Sequence, residues 1–357
     1  MTELLHLTGP ILVGPHEVRS QAWVVGGRLT FTRPHGDVTT LAGWVLPGFV
    51  DAHSHIGLGT HGAVDDATSE QQALTERAAG ALLLRDAGSP ADTRWVDDRE
   101  DLPVVIRAGR HIARTRRYLR DFAEEVEPKG LVAEVARQAQ RGDGWVKLVG
   151  DWIDRDTGDL EPCWPAEVLA GAMAAAHAHG ARVTAHCFGE ASLRPLVEAG
   201  IDCIEHATGL TVDTIPLLAE RGVAIVPTLV NIATFPGIAA NADGKFPTYA
   251  GHMRDLHARR YDTVKQAHEA GIQVYAGTDA GGALAHGLVG RELLELRRAG
   301  LSAVQALDAA CWAARTWLGR TGLTEGASAD LVLCDRDPRQ DLTAVLEPRV
   351  VLRGILY

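Results

Sequence analysis

Short apolar segments that alternate with helix-like segments dominate the middle of this 357-residue chain. Several of the helix-like segments, among them GLVAEVARQAQRG and YDTVKQAHEAG, end in glycine, the usual helix stop. This alternation is typical of repeated βα units, and eight parallel strands with helical returns make a (β/α)₈ TIM barrel of the α/β class. We predict such a barrel over residues 48–321, with strands at 45–55, 81–88, 103–109, 144–151, 181–189, 202–207, 223–230 and 272–281.

The two ends of the chain have a different character. Residues 1–47 contain short Val-, Leu-, Thr- and Trp-rich runs that Gly and Pro interrupt, and residues 322–357 return to the same pattern. A β-rich head and a β-rich tail that flank one barrel predict a single small β-sandwich domain built from both termini.

The net charge and the cysteine content limit the kinds of binding partner and the cellular compartment that we expect. The net charge is −11, so the chain lacks the basic field that attracts nucleic acid or an anionic membrane surface. Its five cysteines include no CxxC pair, which fits free thiols in a reducing cytoplasm. No apolar stretch approaches the length of a membrane span, and no signal peptide is visible. We therefore expect a cytoplasmic protein that acts on a small molecule.

Two histidines lie at the C-terminal end of the first predicted barrel strand, in the sequence FVDAHSHIG. Residues i and i+2 of a strand share a face, so His53 and His55 are expected to converge at the C-terminal rim, where barrel active sites lie. The pair His177 and His179 has the same spacing but ends a helical segment, so its imidazoles are expected to diverge.

Four further strands carry an ionisable group near their C-terminal ends, namely Lys147, His186, His206 and Asp279. A cluster of buried polar groups is costly without a compensating partner. A divalent metal ion is such a partner, and imidazole with carboxylate suits zinc best.

In this order the motifs resemble the amidohydrolase superfamily, and most closely its imidazolonepropionase-like and prolidase-like branch. The resemblance covers nearly the whole chain and is carried by LPGFVDAHSHIG, ALLLRDAG, GWVKLVGD, TAHCFGE, IDCIEHATGL, AGTDAGG and GLTEGASADLVLCDRDP.

The resemblance implies a binuclear centre in which Lys147 is carboxylated and its carbamate bridges two divalent ions, with zinc favoured. It assigns His53, His55, Lys147 and Asp279 to one ion and Lys147, His186 and His206 to the other. It further implies a homo-oligomer.

The implied reaction is the hydrolysis of an amide bond, in a dipeptide or an N-acyl amino acid, by a hydroxide that bridges the two ions. Asp279 then acts as general base and later as general acid, and His206 belongs to the same catalytic group. Two alternatives stay open: a mononuclear cyclic-amide hydrolase or deaminase of the imidazolonepropionase type, and a lactone or ester hydrolase. A binding scaffold without catalysis is disfavoured because every ligand position is filled.

Candidates for substrate contact lie in the rim loops. Family members often carry Gly-Gly-His after the third strand, where this chain has Arg116-Arg117-Tyr118. Arg117 is a candidate for a substrate carboxylate, and Tyr118 for the carbonyl oxygen. Trp152, just past the fourth strand, is expected to line the pocket. His286, in a His-Gly pair after the eighth strand, is a candidate for both catalysis and binding.

Overall fold

One sheet joins the two ends of the chain in the computed structural model, which describes residues 4–357. Its strand Leu331–Cys334 pairs antiparallel with Trp44–Pro47, so the tail lies directly beside the head. The sheet buries Leu7, Ile11 and Leu333 in a small core of its own. Its eight strands run in the order Ile355–Leu356, Arg349–Leu352, Leu331–Cys334, Trp44–Pro47, Leu5–Leu12, Val18–Val25 and Arg28–Thr30, with Thr39–Ala42 also paired to Leu5–Leu12.

The middle of the chain forms parallel strands in two sheets. The first contains Ala280–Gly282, Phe49–Gly59, Ala81–Asp86 and Val104–Arg107, with the short strand Gly62–Ala63 on Phe49–Gly59. The second runs in the order Ala123–Val126, His111–Arg114, Trp145–Val149, Arg182–Cys187, Cys203–His206 and Ala224–Val226. The closing of these strands into a complete eight-stranded barrel, the sandwich form of the terminal sheet and the domain boundaries stay predictions.

Helices follow most of the strands and cover them. Leu131–Arg141 is representative, because Leu131, Val135 and Ala139 recur at helical spacing and are buried on one face. The α-helices are Asp66–Ala78, Leu131–Arg141, Ala166–Ala178, Leu193–Glu198, Ile215–Arg221, Leu229–Ile232, Phe235–Ala242, Pro247–Glu269, Val289–Arg298, Ala303–Asp308 and Trp312–Trp317. Short 3-10 helices span Arg94–Asp98, Pro128–Gly130 and Leu342–Leu346, and a hairpin pairs Asp151–Ile153 with Leu160–Pro162.

Two predicted strands are shorter than their apolar runs. The seventh stops at Val226, because Pro227 has no amide proton for the ladder and Thr228 adopts a left-handed φ of 47° before the helix Leu229–Ile232. The eighth is reduced to a bridge at Val274 and the strand Ala280–Gly282. Within residues 4–357, no helix is long and apolar enough to cross a membrane.

Candidate metal centre

His53 and His55 project from the same face of the buried strand Phe49–Gly59, as the strand period predicts. Their Nε2 atoms lie 3.2 Å apart. Each of these atoms also lies 2.9 Å from Oδ1 of Asp279, which directly precedes the strand Ala280–Gly282. Two imidazoles and one carboxylate therefore converge on one point at the C-terminal ends of the strands.

Lys147 comes from the neighbouring sheet and reaches the same point. Its strand, Trp145–Val149, is buried at every residue, and the lysine is 2% exposed. Its Nζ lies 3.4 Å from Nε2 of His53. Burial lowers the pKa of the Lys147 ammonium, so the neutral amine forms more readily here than on an exposed lysine.

His186 and His206 complete the cluster from two adjacent parallel strands, where Cys187 pairs with His206. Their ring centroids lie 4.7 Å apart, and Nδ1 of His206 lies 2.7 Å from the Thr228 hydroxyl, which leaves Nε2 directed to the cluster. Burial lowers the pKa of His186 to about 3 and that of His206 well below its usual value. Both rings are therefore neutral, which is the form that ligates a metal.

These residues fit a divalent cation. Nε2 of His186 is buried without a hydrogen-bond partner in the described chain. Donor atoms of His53, His206 and Asp279 all lie within 4.8 Å of one another. Imidazole nitrogens and a carboxylate oxygen are the donor set that zinc and its neighbours in the first transition row prefer.

Two consecutive ion pairs hold His53: His53 pairs with Glu205, and Glu205 pairs in turn with Arg85. Nδ1 of His53 lies 2.8 Å from Oε2 of Glu205, and Nη2 of Arg85 donates to Oε1 of Glu205 over 2.5 Å. Burial opposes ionisation of Glu205 most strongly, but Arg85 and His53 together hold its pKa well below the usual range. The Arg85 guanidinium also packs over the Trp145 ring, 4.5 Å from its centroid. This carboxylate orients the imidazole, as partners behind metal-ligating histidines generally do.

Asp279 is held on its other oxygen by an amide. Nδ2 of Asn231 donates to Oδ2 over 2.7 Å, which leaves Oδ1 directed at the two histidines. Burial acts to raise the pKa of Asp279, but the neighbouring imidazoles hold it well below its usual value. The carboxylate is therefore ionised, and its side chain keeps 22% exposure towards the pocket.

A cavity of about 420 Å³ lies over the cluster and has a largely apolar wall. Tyr118 and Trp152 belong to this wall, with ring centroids 4.7 Å apart, and their contact with a substrate stays a prediction. Burial raises the pKa of the Tyr118 hydroxyl far above its usual range, so it remains a neutral donor. Phe122, Phe188 and Leu284 contribute further apolar lining. The cavity has the size and the mixed character of a small-molecule site.

Arg117 does not reach this cavity, contrary to the expectation that it binds a substrate carboxylate. Its Nη1 pairs with Asp154 at 2.7 Å, and its Nη2 donates to the carbonyl oxygens of Trp152 and Glu161. With these partners its guanidinium braces the hairpin that carries Trp152. A partly buried guanidinium needs hydrogen-bond acceptors close by. Asp154 and the two carbonyl oxygens supply them, so Arg117 is not available to a substrate carboxylate.

His286 also lies away from the cavity lining, contrary to its predicted catalytic and binding roles. Its Nδ1 lies 2.8 Å from Oε1 of Glu76, a fully buried carboxylate on the helix Asp66–Ala78. The same carboxylate oxygen accepts the Gly287 amide. His286 therefore ties the loop after residue 282 to this helix and has a structural position.

Glu190 lies just ahead of the helix Leu193–Glu198. Its carboxylate lies 2.9 Å from Nε2 of His252 and pairs with Arg259. A carboxylate engaged in two ion pairs is poorly placed to serve as the acid of a deaminase.

Sequence reasoning missed four residues at the site: Arg85, His111, Glu205 and Asn231. His111 is buried and stacks on His55, with ring centroids 4.9 Å apart. Arg85 and Glu205 are charged residues inside short, fully buried strands, and a charge within such a strand was the available signal. His111 and Asn231 lie in segments that the sequence pattern presents as a loop and a strand end, and no periodicity marks them.

Comparison with known proteins agrees with this geometry. The Amidohydrolase family model matches residues 44–356. An uncharacterized protein of Mycobacterium tuberculosis is 57% identical over 354 residues, which is 98% of this chain and 95% of that protein. Ochratoxinase of Aspergillus niger is 28% identical over 235 residues, which is 62% of this chain but 47% of that enzyme.

Solved structures show the same architecture at low identity. A Xaa-Pro dipeptidase with bound methionine gives a TM-score of 0.82 at 21% identity and covers 99% of this chain and 100% of that one. Aspergillus niger ochratoxinase gives 0.80 at 19% identity, over 99% of this chain and 95% of that one. These neighbours give the fold as TIM-barrel type, which confirms the predicted class. The chain belongs to the amidohydrolase family.

Proposed function

We propose that this protein is a divalent-metal-dependent hydrolase that cleaves the amide bond of a dipeptide or an N-acyl amino acid. The observation that carries the proposal is the convergence of His53, His55 and Asp279 on one point, with Lys147 at 3.4 Å from His53. The ligands we assign are His53, His55, Lys147, His186, His206 and Asp279. A bound divalent ion supplies Lewis-acid polarisation of the carbonyl and lowers the pKa of water.

Residues of the chain itself move the proton and orient the substrate. Asp279 takes a proton from the attacking water on Oδ1, because Asn231 occupies Oδ2. It then delivers that proton to the leaving nitrogen. The neutral Tyr118 hydroxyl donates to the carbonyl oxygen as negative charge develops there, and Trp152 packs against the substrate.

We infer that Lys147 is carboxylated. Its neutral amine attacks carbon dioxide, a new N–C bond forms as one C=O π bond opens and leaves its electron pair on oxygen, and one proton leaves the nitrogen to water. The product is an anionic carbamate with two oxygen donors, which suits a position between two cations. Burial penalises an unmodified ammonium there, although the carboxylates of Glu205 and Asp279 favour it.

Lys147→Ala tests this assignment. We expect the variant to lose most of its bound metal and nearly all hydrolysis, and short carboxylates such as propionate to restore part of both by replacing the carbamate. A variant that retains metal and activity would contradict the bridge. The exposed pair partner Lys265→Ala, on the helix Pro247–Glu269, is the control for loss of a lysine charge.

Product analysis separates the proposed reaction from deamination. Release of a free amino acid from dipeptides or N-acyl amino acids supports amide cleavage, whereas release of ammonia from a substrate with an exocyclic amino group supports deamination. The ion pairs of Glu190 with His252 and Arg259 favour the first outcome.

The setting we propose is a cytoplasmic homo-oligomer. All five cysteines are free and buried, as expected for thiols in a reducing compartment. Light scattering at micromolar protein concentration tests the oligomeric state, and a monomer would refute it.

A further inference from the structure

A second, larger cavity of about 870 Å³ lies outside the metal pocket. The two share three wall residues, namely Tyr118, Leu119 and Trp152. We call this outer cavity the vestibule. A substrate that reaches the metal pocket past this shared apolar wall therefore has part of its length in the vestibule.

Three arginines line the vestibule: Arg116, Arg120 and Arg155. All three are exposed, and across residues 4–357 none of their guanidinium groups forms an ion pair or a side-chain hydrogen bond. Two carboxylates, Asp121 and Glu125, also line it, so the charged lining sums to one positive charge. Neighbouring arginines in the same loops behave differently, since Arg117 is paired with Asp154.

Two residues of the vestibule have a left-handed backbone conformation. Arg116 has a φ of +62°, and Asp121 one of +66°. Glycine adopts this left-handed conformation most readily, so a long cationic side chain at position 116 is not what the backbone favours. Glu125 holds the turn by accepting the Arg116 amide, and it leaves the Arg116 guanidinium free at the cavity.

We propose that the vestibule is a carboxylate subsite, and that the preferred substrate bears a carboxylate separated from the scissile carbonyl by an apolar segment. The apolar segment contacts Tyr118, Leu119 and Trp152, while the carboxylate accepts hydrogen bonds from the vestibule arginines. One negative charge balances the single excess positive charge of the lining. This inference deepens the proposed function and rests on it for the position of the scissile carbonyl.

Matched substrates test the proposal with the zinc-loaded enzyme. The series consists of N-acetyl ω-amino acids and monoanilides of α,ω-diacids with one to six methylenes, each with a neutral carboxamide twin. We expect kcat/KM to favour the carboxylate by about tenfold at the best spacer, mainly through KM, because three exposed charge pairs each contribute modestly. The preference is expected to shrink with added salt.

The triple variant R116Q/R120Q/R155Q is expected to reduce the carboxylate-to-carboxamide ratio of kcat/KM to near one. The control R33Q/R221Q/R291Q removes three exposed arginines that line neither cavity, and it is expected to keep the wild-type ratio. An unchanged ratio in the first triple variant, or no preference in the wild type at any spacer, would overturn the subsite.

A binding measurement separates this proposal from the proposed function. If neither twin is hydrolysed, amide hydrolysis fails, and calorimetric binding of ω-phenylalkanoates against their carboxamides still decides on the vestibule. Preferential carboxylate binding that the first triple variant abolishes supports the subsite. Preferential binding that survives in that variant places the carboxylate at the metal centre and refutes it.

Discussion

The floor of the site and its rim are built in opposite ways. The floor consists of His53, Lys147 and Glu205 on parallel strands, all buried, and Arg85 neutralises Glu205 from below. The rim consists of loops and a hairpin in which Arg116 and Arg155 are exposed and unpaired within the described chain. We infer that the floor fixes the chemistry by rigid pairing, whereas the rim selects the substrate with charges that are left free.

Asp279→Asn is expected to have the largest effect on this contrast. The neutral amide introduced by this change neither attracts the two imidazoles, which lie 2.9 Å from the native carboxylate, nor accepts the proton of the attacking water. We expect kcat/KM to fall by about a thousandfold or more. Steady-state kinetics on the best dipeptide checks this, with circular dichroism to verify folding. A loss below tenfold would remove Asp279 from the proton transfer.

Glu205→Gln tests how much the buried ion pair between Arg85 and Glu205 contributes to the stability of the protein. The change leaves the fully buried Arg85 without its charge partner. Removing one member of such a pair costs about 3–5 kcal/mol of unfolding free energy. The control Glu198→Gln breaks an exposed pair with Arg194 and is expected to cost at most about 0.5 kcal/mol. Urea titrations measure both, and equal losses would show that the floor is not held by this pair.

His252→Gln tests the pairing of His252 with Glu190 and Asp159 at the rim, and it has the smallest expected effect. Hydrogen bonds to Glu190 and Asp159 raise the pKa of His252 to about 9, above an unfolded value of about 6.5. The stabilisation is therefore complete below about pH 6.5 and is lost as the pH rises through about 9.

We accordingly expect the stability difference between wild type and His252→Gln to be largest near pH 6 and to vanish above pH 9. Thermal unfolding across this pH range measures it. The control His268→Gln, on the same helix, removes a histidine that forms no ion pair in the described chain. A difference that is independent of pH would mean that packing, and not charge, sets the contribution of His252.

The metal ligands of the floor were predictable from the sequence because strand register fixes where strand residues point. The pairings of Val149 with His186 and of Cys187 with His206 place the predicted ligands at one edge. Each position along a strand has only two possible faces, so an ionisable group at a strand end is informative on its own.

The side-chain contacts of the rim were less predictable because they join residues in different loops. Arg116 and Arg117 are adjacent in sequence, yet the first lines the vestibule and the second pairs with Asp154. His286 likewise pairs with Glu76, which is 210 residues away. No period or spacing encodes such contacts, since they depend on the conformation of the loops.

Metal content of the wild type and of two histidine double variants tests whether His53 and His55 hold the metal ions. His53→Asn/His55→Asn removes the pair that converges on Asp279, whereas His177→Asn/His179→Asn removes a pair of the same spacing at the end of the helix Ala166–Ala178. After dialysis against trace zinc, elemental analysis is expected to give close to two ions per chain for the wild type and the helix variant. The first double variant is expected to retain well under one ion. Full metal retention in His53→Asn/His55→Asn, or no bound ion in the wild type, would contradict the account.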